Sequence, residues 1–245
     1  MQIIVDGVLT HYEIVGGGKK DKLLILHGWQ RSLKEWLPVS AYMSDSYEVI
    51  LLDLPGFGQT SKPDSDYSIY DYANFVKDFL GKISCKKVSL LGHSFGGRVG
   101  IILGANTSLI DKLVLVDAAG IEKRSALAKI KIFCFKVLKH LLPSQALIIL
   151  RNLLGSRDYK SAGTLRNIFI KVINEDLSYL LSKIHNSTYL IWGENDEEVP
   201  ISKAKRMKKM IPNSRLRIVW KAGHSPHIEK QAEFKEILID TLLSR

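Results

Sequence analysis

Short apolar runs alternate along the chain with amphipathic segments, and this alternation limits the available folds more than any other feature. Apolar runs of four residues are typical of strands that are covered on both faces. Three such runs lie at residues 23–26, 49–52 and 113–116, and a fourth, at 88–91, is interrupted only by Ser89. The segments between them carry helical periodicity, notably residues 69–83 and 96–105. This order of elements predicts an α/β fold with a mostly parallel sheet and helices on both faces.

Further elements extend this pattern at both ends of the chain. Alternating segments at residues 3–5 and 11–15 predict an entry hairpin. After residue 186 the sheet pattern resumes, with predicted strands at 188–192 and 216–220 and predicted helices at 201–210 and 228–243. The sequence therefore predicts eight strands in all. A chain of 245 residues is long enough for one α/β domain with a substantial core.

Residues 120–185 interrupt the alternation. They contain no strand pattern, and helical periodicity is expected at 126–142, at 145–154 and, in pieces, at 162–184. We therefore predict a core domain formed by residues 1–119 and 186–245, with residues 120–185 as a helical insertion after the sixth strand. The insertion has twelve Lys and Arg residues against four Asp and Glu, within a chain whose net charge is +10.

This basic charge has two interpretations. A basic amphipathic insertion can make weak contact with an anionic membrane surface. A solvated helical face explains the same charge. Nucleic-acid binding is not expected, because the basic residues lack interleaved aromatic residues and a recognised motif.

Composition and motifs exclude several other classes. The longest apolar run has five residues, at 146–150, so no membrane-spanning helix is predicted. Residues 2–6 lack a basic segment followed by an apolar one, and a cytoplasmic location is expected. Cys85 and Cys134 fit no metal or redox spacing and are expected to be free thiols. No nucleotide-binding or metal-binding motif is present, so neither a cofactor nor a metal is expected.

One motif carries chemistry. Residues 92–96 read Gly-His-Ser-Phe-Gly, a G-x-S-x-G pattern that follows a predicted strand and precedes a predicted helix. Small residues on both sides of Ser94 allow a sharp turn that lifts its hydroxyl above the sheet. Ser94 is therefore the candidate nucleophile, although a serine in this place could also serve only as a helix N-cap.

A serine nucleophile needs a histidine base and a carboxylate that orients the histidine. His224 and Asp196 both lie just beyond the ends of later predicted strands. Asp117, which follows the preceding strand, is an alternative to Asp196 as the acid. The chain order Ser94, Asp196, His224 is that of the α/β hydrolases.

The backbone N–H groups of Phe95 and Trp29 are the candidate donors to the oxyanion. Phe95 follows the nucleophile, and Trp29 lies in the loop after the strand at 23–26. Gly28, in the same loop, is expected to line the substrate pocket.

Taken together, the sequence resembles α/β-hydrolase-fold serine hydrolases of the lid-bearing carboxylesterase and lipase type. The matching segments are residues 27–29, 53–58, 92–97, 192–196 and 223–227. The resemblance implies a mostly parallel eight-stranded sheet, with the insertion as a helical cap over the nucleophile. It also implies that apolar cap residues such as Phe133 and Leu138 line the substrate pocket.

The resemblance leaves the substrate open. The leading interpretation is hydrolysis of small-molecule carboxylic esters with small or medium acyl groups. A C–C bond hydrolase of the meta-cleavage type and a non-catalytic ligand-binding protein are the alternatives. The sequence does not determine the oligomeric state.

Overall fold

A computed structural model describes residues 1–19, 21–121 and 163–243 of the chain. Eight strands form one sheet, which confirms the predicted number. They are Gln2–Val5 (β1), Val8–Val15 (β2), Lys22–Leu26 (β3), Glu48–Leu52 (β4), Val88–His93 (β5), Ile110–Val116 (β6), Ser187–Gly193 (β7) and Ser214–Val219 (β8).

The sheet is mostly parallel, as predicted. Its spatial order is β1-β2-β4-β3-β5-β6-β7-β8. The entry hairpin pairs antiparallel, and β2 also runs antiparallel to β4. Every pairing from β4 to β8 is parallel. The carboxyl ends of these six strands consequently meet at one edge of the sheet, where the loops that follow them lie side by side.

Helices cover both faces of the sheet. Numbered among the described residues, they are Leu37–Met43 (α1), Ile69–Lys82 (α2), Phe95–Asn106 (α3), Arg166–Asn174 (α4), Ile201–Met210 (α5), Pro226–Glu229 (α6) and Gln231–Leu243 (α7). Three short 3₁₀ helices accompany them, at Leu33–Trp36, Gly163–Leu165 and Ser178–Lys183. Apolar residues of α2, α3 and α5 pack on one face, and those of α1 and α7 pack on the other.

Two elements differ from the sequence-based expectation. Helix α1 was not predicted; it is only seven residues long and carries Pro38 in its first turn, where proline is tolerated. The closing helix, expected at 228–243, is divided into α6 and α7 at Lys230, whose backbone is not helical. The Glu229 side chain accepts hydrogen bonds from the backbone N–H groups of Gly223 and Ser225, which holds the short α6 against the preceding loop.

Of the insertion, the structure describes residues 120–121 and 163–185. These contain α4 and two of the 3₁₀ helices and no strand, in agreement with the predicted helical pattern. The helices expected at 126–142 and 145–154 lie outside the described residues, and the domain boundaries stay a prediction. Within the described ranges, no helix is long and apolar enough to span a membrane.

The buried strands explain why the apolar runs are continuous. In β6, Leu113 and Leu115 point into the core beneath α2 and α3, whereas Val114 and Val116 point into the core beneath α1 and α7. Successive side chains of a strand face opposite sides of the sheet, so both cores draw on the same strand. Leu90 of β5 is fully buried in the first of these cores.

Replacing Leu90 by alanine should therefore leave a cavity at the centre of the sheet. We expect Leu90→Ala to lower the free energy of unfolding by about 2 to 5 kcal/mol, measured by urea denaturation. Leu9→Ala, at a position in β2 that is 42% exposed, is the matched control and should change it by less than about 0.5 kcal/mol. Equal losses in the two variants would contradict this assignment of the core.

Candidate active site

The loop between β5 and α3 forms a sharp turn at Ser94. Ser94 has a positive φ of 48°, a conformation that is unfavourable for a residue with a side chain. The turn depends on Gly92 and Gly96. A Cβ on Gly92 would collide with the Gly96 carbonyl, and a Cβ on Gly96 would collide with the Leu26 carbonyl. The small residues predicted around Ser94 are thus required by close backbone contacts.

Three side chains that are distant in sequence meet at this turn. The Ser94 Oγ lies 2.9 Å from the His224 Nε2, and the His224 Nδ1 lies 2.8 Å from the Asp196 Oδ2. Ser94 and His224 are partly exposed, whereas Asp196 is buried. The arrangement gives a hydroxyl, an imidazole and a carboxylate in one hydrogen-bonded series.

Asp196 is held as a carboxylate by its surroundings. Burial opposes its ionisation, but the hydrogen bond with His224 and the backbone N–H of Val199 outweigh that effect and lower its pKa. Its Oδ1 accepts hydrogen bonds from the backbone N–H groups of Glu198 and Val199 at 2.8 and 2.9 Å. The charged carboxylate therefore has a fixed orientation and leaves Oδ2 directed at the imidazole.

The loops after β7 and β8 are bound to each other, and this contact positions Asp196 against His224. The Asn195 N–H donates to the Ala222 carbonyl at 2.8 Å. Gly193 lies so close to Gly223 that a Cβ on Gly193 would collide with the Gly223 carbonyl. The Glu229 carboxylate holds the His224 loop by accepting hydrogen bonds from the N–H groups of Gly223 and Ser225, on either side of His224. The helical periodicity of residues 228–243 gives no sign of this contact, which depends on the tertiary structure.

His93, next to the candidate nucleophile, points away from it. Its pKa is lowered to about 3, first by burial and then by the neighbouring histidines, so the ring is neutral. A neutral ring donates its Nε2–H to the backbone carbonyl of His224, 2.8 Å away. His93 thereby fixes the backbone of the residue that carries the imidazole.

The loop after β3 lies beside the turn at Ser94. The Gly96 N–H donates to the His27 carbonyl at 3.1 Å, which joins this loop to the start of α3. Gly28 is buried against His93, since a Cβ on it would lie 2.9 Å from the His93 Nδ1. Its place in a substrate pocket stays a prediction. The structure therefore places Trp29, in the loop after β3, beside Phe95, the first residue of α3, at the carboxyl edge of the sheet.

Aromatic rings surround Trp29. Its ring centroid lies 4.8 Å from that of Phe57, 5.3 Å from that of Phe95 and 5.0 Å from that of Phe169 in α4. This cluster, defined as Trp29, Phe57, Phe95 and Phe169, forms an apolar wall next to the turn. The other pocket residues expected from the sequence, Phe133 and Leu138, lie outside the described residues.

Two further carboxylates lie near His224. The exposed Glu198 side chain places its Oε2 3.5 Å from the His224 Nε2. Asp117, the alternative acid, is fully buried, and its Oδ1 accepts a hydrogen bond from the Gly193 N–H at 2.9 Å. Asp196, rather than Asp117, makes the short contact with the His224 Nδ1.

By residue type, two clusters among the described residues could hold a cation. They are Glu35 with His93 and His227, and Asp117 with Asp196 and His224, each with donor atoms within 4.8 Å of one another. In the second cluster the atoms of Asp196 and His224 already bond to each other and to the turn. In the first cluster, the Trp36 indole donates to the Glu35 Oε1. Neither cluster is assigned a metal.

The sheet order, the positive-φ serine after β5 and its histidine partner after β8 define an α/β hydrolase. The model of the alpha/beta hydrolase family matches residues 23–237, and the chain belongs to this family. The mostly parallel, eight-stranded sheet is what the resemblance in the sequence implied.

Individual relatives support hydrolase activity. The chain is 30% identical over 261 residues to the uncharacterized hydrolase YugF of Bacillus subtilis, covering 96% of this chain and 95% of the relative. It is 27% identical over 263 residues to the monoacylglycerol lipase ABHD6 of Mus musculus, covering 93% and 77%. Among solved structures, a bacterial membrane phospholipase A superposes with a TM-score of 0.81 at 26% identity, covering 99% of this chain and 84% of that one.

The close approach at the turn can be tested by adding one methyl group. Gly92→Ala should displace Ser94 and destabilise the protein by about 1 to 3 kcal/mol, because the new Cβ has no room beside the Gly96 carbonyl. Gly81→Ala, in α2 with open space around the position, is the matched control and should be neutral or stabilising by up to about 1 kcal/mol. Thermal unfolding measures both, and an equally stable Gly92→Ala variant would show that the turn does not require this contact.

Proposed function

We propose that this protein is a serine hydrolase that cleaves carboxylic esters of small or medium acyl groups through an acyl-enzyme intermediate. The observation that carries the proposal is the hydrogen-bonded series from the Ser94 Oγ through His224 to the Asp196 carboxylate. In this proposal Ser94 is the nucleophile, His224 the general base and acid, and Asp196 the group that orients the imidazole.

The chemistry follows from the positions of these groups. The Ser94 Oγ attacks the ester carbonyl carbon while the His224 Nε2 takes the hydroxyl proton. The backbone N–H groups of Trp29 and Phe95 stabilise the resulting oxyanion, each by about 3 kcal/mol in the transition state. His224 then gives its proton to the departing alkoxide, which leaves as the alcohol. Water, deprotonated by His224, attacks the acyl carbon; the bond to the Ser94 Oγ breaks, and His224 returns the proton to that oxygen, which releases the carboxylic acid and free Ser94.

The nucleophile and its relatives favour ester substrates. A serine hydroxyl suits attack on a carbonyl, whereas displacement at a saturated carbon in this fold uses a carboxylate nucleophile. A monoacylglycerol lipase and a membrane phospholipase A are among the similar proteins. The aromatic cluster around Trp29 supports an apolar acyl group, because its rings offer apolar surface beside the proposed nucleophile.

Two matters stay expectations from the sequence. One is a cytoplasmic location, and the other is weak contact of the basic insertion with anionic membranes. Most of the basic residues concerned lie outside the described residues.

Removing the Ser94 hydroxyl should abolish turnover. We expect Ser94→Ala to lower kcat/KM for p-nitrophenyl butyrate at least about a thousandfold and to abolish labelling by a fluorophosphonate probe, since both require attack by this oxygen. Ser46→Ala, at an exposed serine after α1, is the control and should leave both unchanged. Undiminished hydrolysis by Ser94→Ala would reject the assignment.

The same assays separate the alternative functions. A C–C bond hydrolase would turn over esters weakly and a vinylogous diketone strongly. A ligand-binding protein without activity would fold but take no label. Strong ester turnover with labelling of Ser94 supports the proposed function.

In the proposed function, Phe169 should limit the length of the acyl group that the site accepts. It is buried against Trp29 and projects from α4. We expect Phe169→Leu to enlarge the apolar site and to raise kcat/KM for p-nitrophenyl octanoate relative to butyrate by about tenfold, the scale of a methylene-sized change in a pocket. Ile173→Ala, at a position in α4 that is 38% exposed, should leave the ratio unchanged. An unaltered ratio in Phe169→Leu would place the acyl group elsewhere.

A further inference from the structure

Asp117 lies directly behind the Asp196 carboxylate in a strained and wholly buried position. It follows β6, has a positive φ of 42°, and is 0% exposed. Its backbone N–H donates to the Ile191 carbonyl of β7 at 3.0 Å. A buried acidic residue held in an unfavourable backbone conformation requires a reason, because burial of a charge and a positive φ both destabilise the fold.

The contacts of the Asp117 carboxyl group are incomplete. Its Oδ1 accepts the Gly193 N–H, but its Oδ2 is buried and accepts no hydrogen bond from any donor among the described residues. A carboxylate oxygen of Asp117 lies within 4.8 Å both of one from Asp196 and of a His224 ring nitrogen. The unpartnered oxygen therefore belongs to a group that adjoins the Asp196–His224 pair.

Two buried carboxyl groups this close do not both ionise, so one of them retains a proton. Asp196 receives hydrogen bonds from two backbone N–H groups in addition to its bond with His224, and these favour its charged form. Asp117 receives only the one from Gly193. Burial raises the pKa of Asp117 to about 10, together with the negative charge of Asp196, a side-chain hydrogen bond between the two carboxyl groups and the charge of Glu229; the Gly193 N–H is the single opposing effect.

We propose that Asp117 is a neutral positioning residue that carries its proton on the buried Oδ2 and donates it as a hydrogen bond to the Asp196 carboxylate. This inference rests on the proposed function, since it assigns a role beside the same three residues. Asp117 touches no substrate. It confines the negative charge to Asp196 and holds that carboxylate against the His224 Nδ1.

Two substitutions distinguish a proton donor from an ionised acid. Asparagine keeps both contacts, because its carbonyl accepts the Gly193 N–H and its amide N–H₂ replaces the proposed O–H. We expect Asp117→Asn to retain kcat for p-nitrophenyl butyrate within about threefold. Asp117→Leu keeps the branched shape and the number of side-chain heavy atoms but has neither donor nor acceptor, and it should lower kcat by about 10- to 100-fold, as loss of a supporting hydrogen bond does, with KM unchanged. Equal losses of kcat in the two variants would overturn the proposal.

A second measurement needs neither substrate nor the leucine variant. Unfolded Asp117 releases its proton near its ordinary pKa of about 3.9, whereas folded Asp117 keeps it to about pH 10. The contribution of that proton to the free energy of unfolding is thus complete below the pKa of the unfolded state and is lost as pH rises towards the pKa of the folded state. Asparagine has no such loss. The Tm of Asp117→Asn minus that of the natural protein should therefore increase steadily from about pH 5 to about pH 9.

A Tm difference that does not change with pH would overturn the proposal, because it would mean that Asp117 titrates alike in the folded and unfolded states. This result is independent of the Ser94→Ala assay. Failure of hydrolysis would thus be recognised separately from failure of the proton assignment.

Discussion

The contact between the strand β5 and the start of α3 is the constraint on which the remainder of the site depends. Backbone approaches backbone at Gly92 and Gly96 more closely than any side chain would allow. This approach forces Ser94 into a positive φ and raises its hydroxyl above the sheet edge. Because β5 lies at the centre of the sheet, with β3 on one side and β6 on the other, the unfavourable turn is held by extensive buried packing on both sides.

The histidine and its acid reach Ser94 through two loops that hold each other. The loops after β7 and β8 share a backbone hydrogen bond and a glycine contact, and they support Asp196 and His224. Backbone groups hold two of the buried side chains around them: two N–H groups bond to the Asp196 Oδ1, and the carbonyl of His224 accepts from the His93 Nε2. Such contacts leave little freedom for the imidazole, and preorganisation of this kind is what acyl transfer requires.

Much of the fold could be predicted from the sequence, because strands covered on both faces are apolar at most positions. The side chains of residues 113–116 pack alternately into the two cores, so an uninterrupted apolar run at this place indicates a central strand. Helix α1 and the division between α6 and α7 could not be predicted in this way. Helices α1 and α6 are short. The division at Lys230 accompanies hydrogen bonds from the preceding loop to the Glu229 side chain. Helical periodicity carries no information on such tertiary contacts.

The candidate site likewise has features that the sequence predicted and features that only the tertiary structure shows. The local sequence determined which residues lie just beyond the strand ends. Because parallel strands end at one edge of the sheet, it also determined that Ser94, Asp196 and His224 would lie at the same edge. It left open whether Asp117 or Asp196 approaches the imidazole. Only the tertiary structure decided this, because hydrogen bonding and electrostatic environment depend on distances between atoms that are far apart in the chain. Those distances place Asp196 on the His224 Nδ1 and leave Asp117 buried behind it.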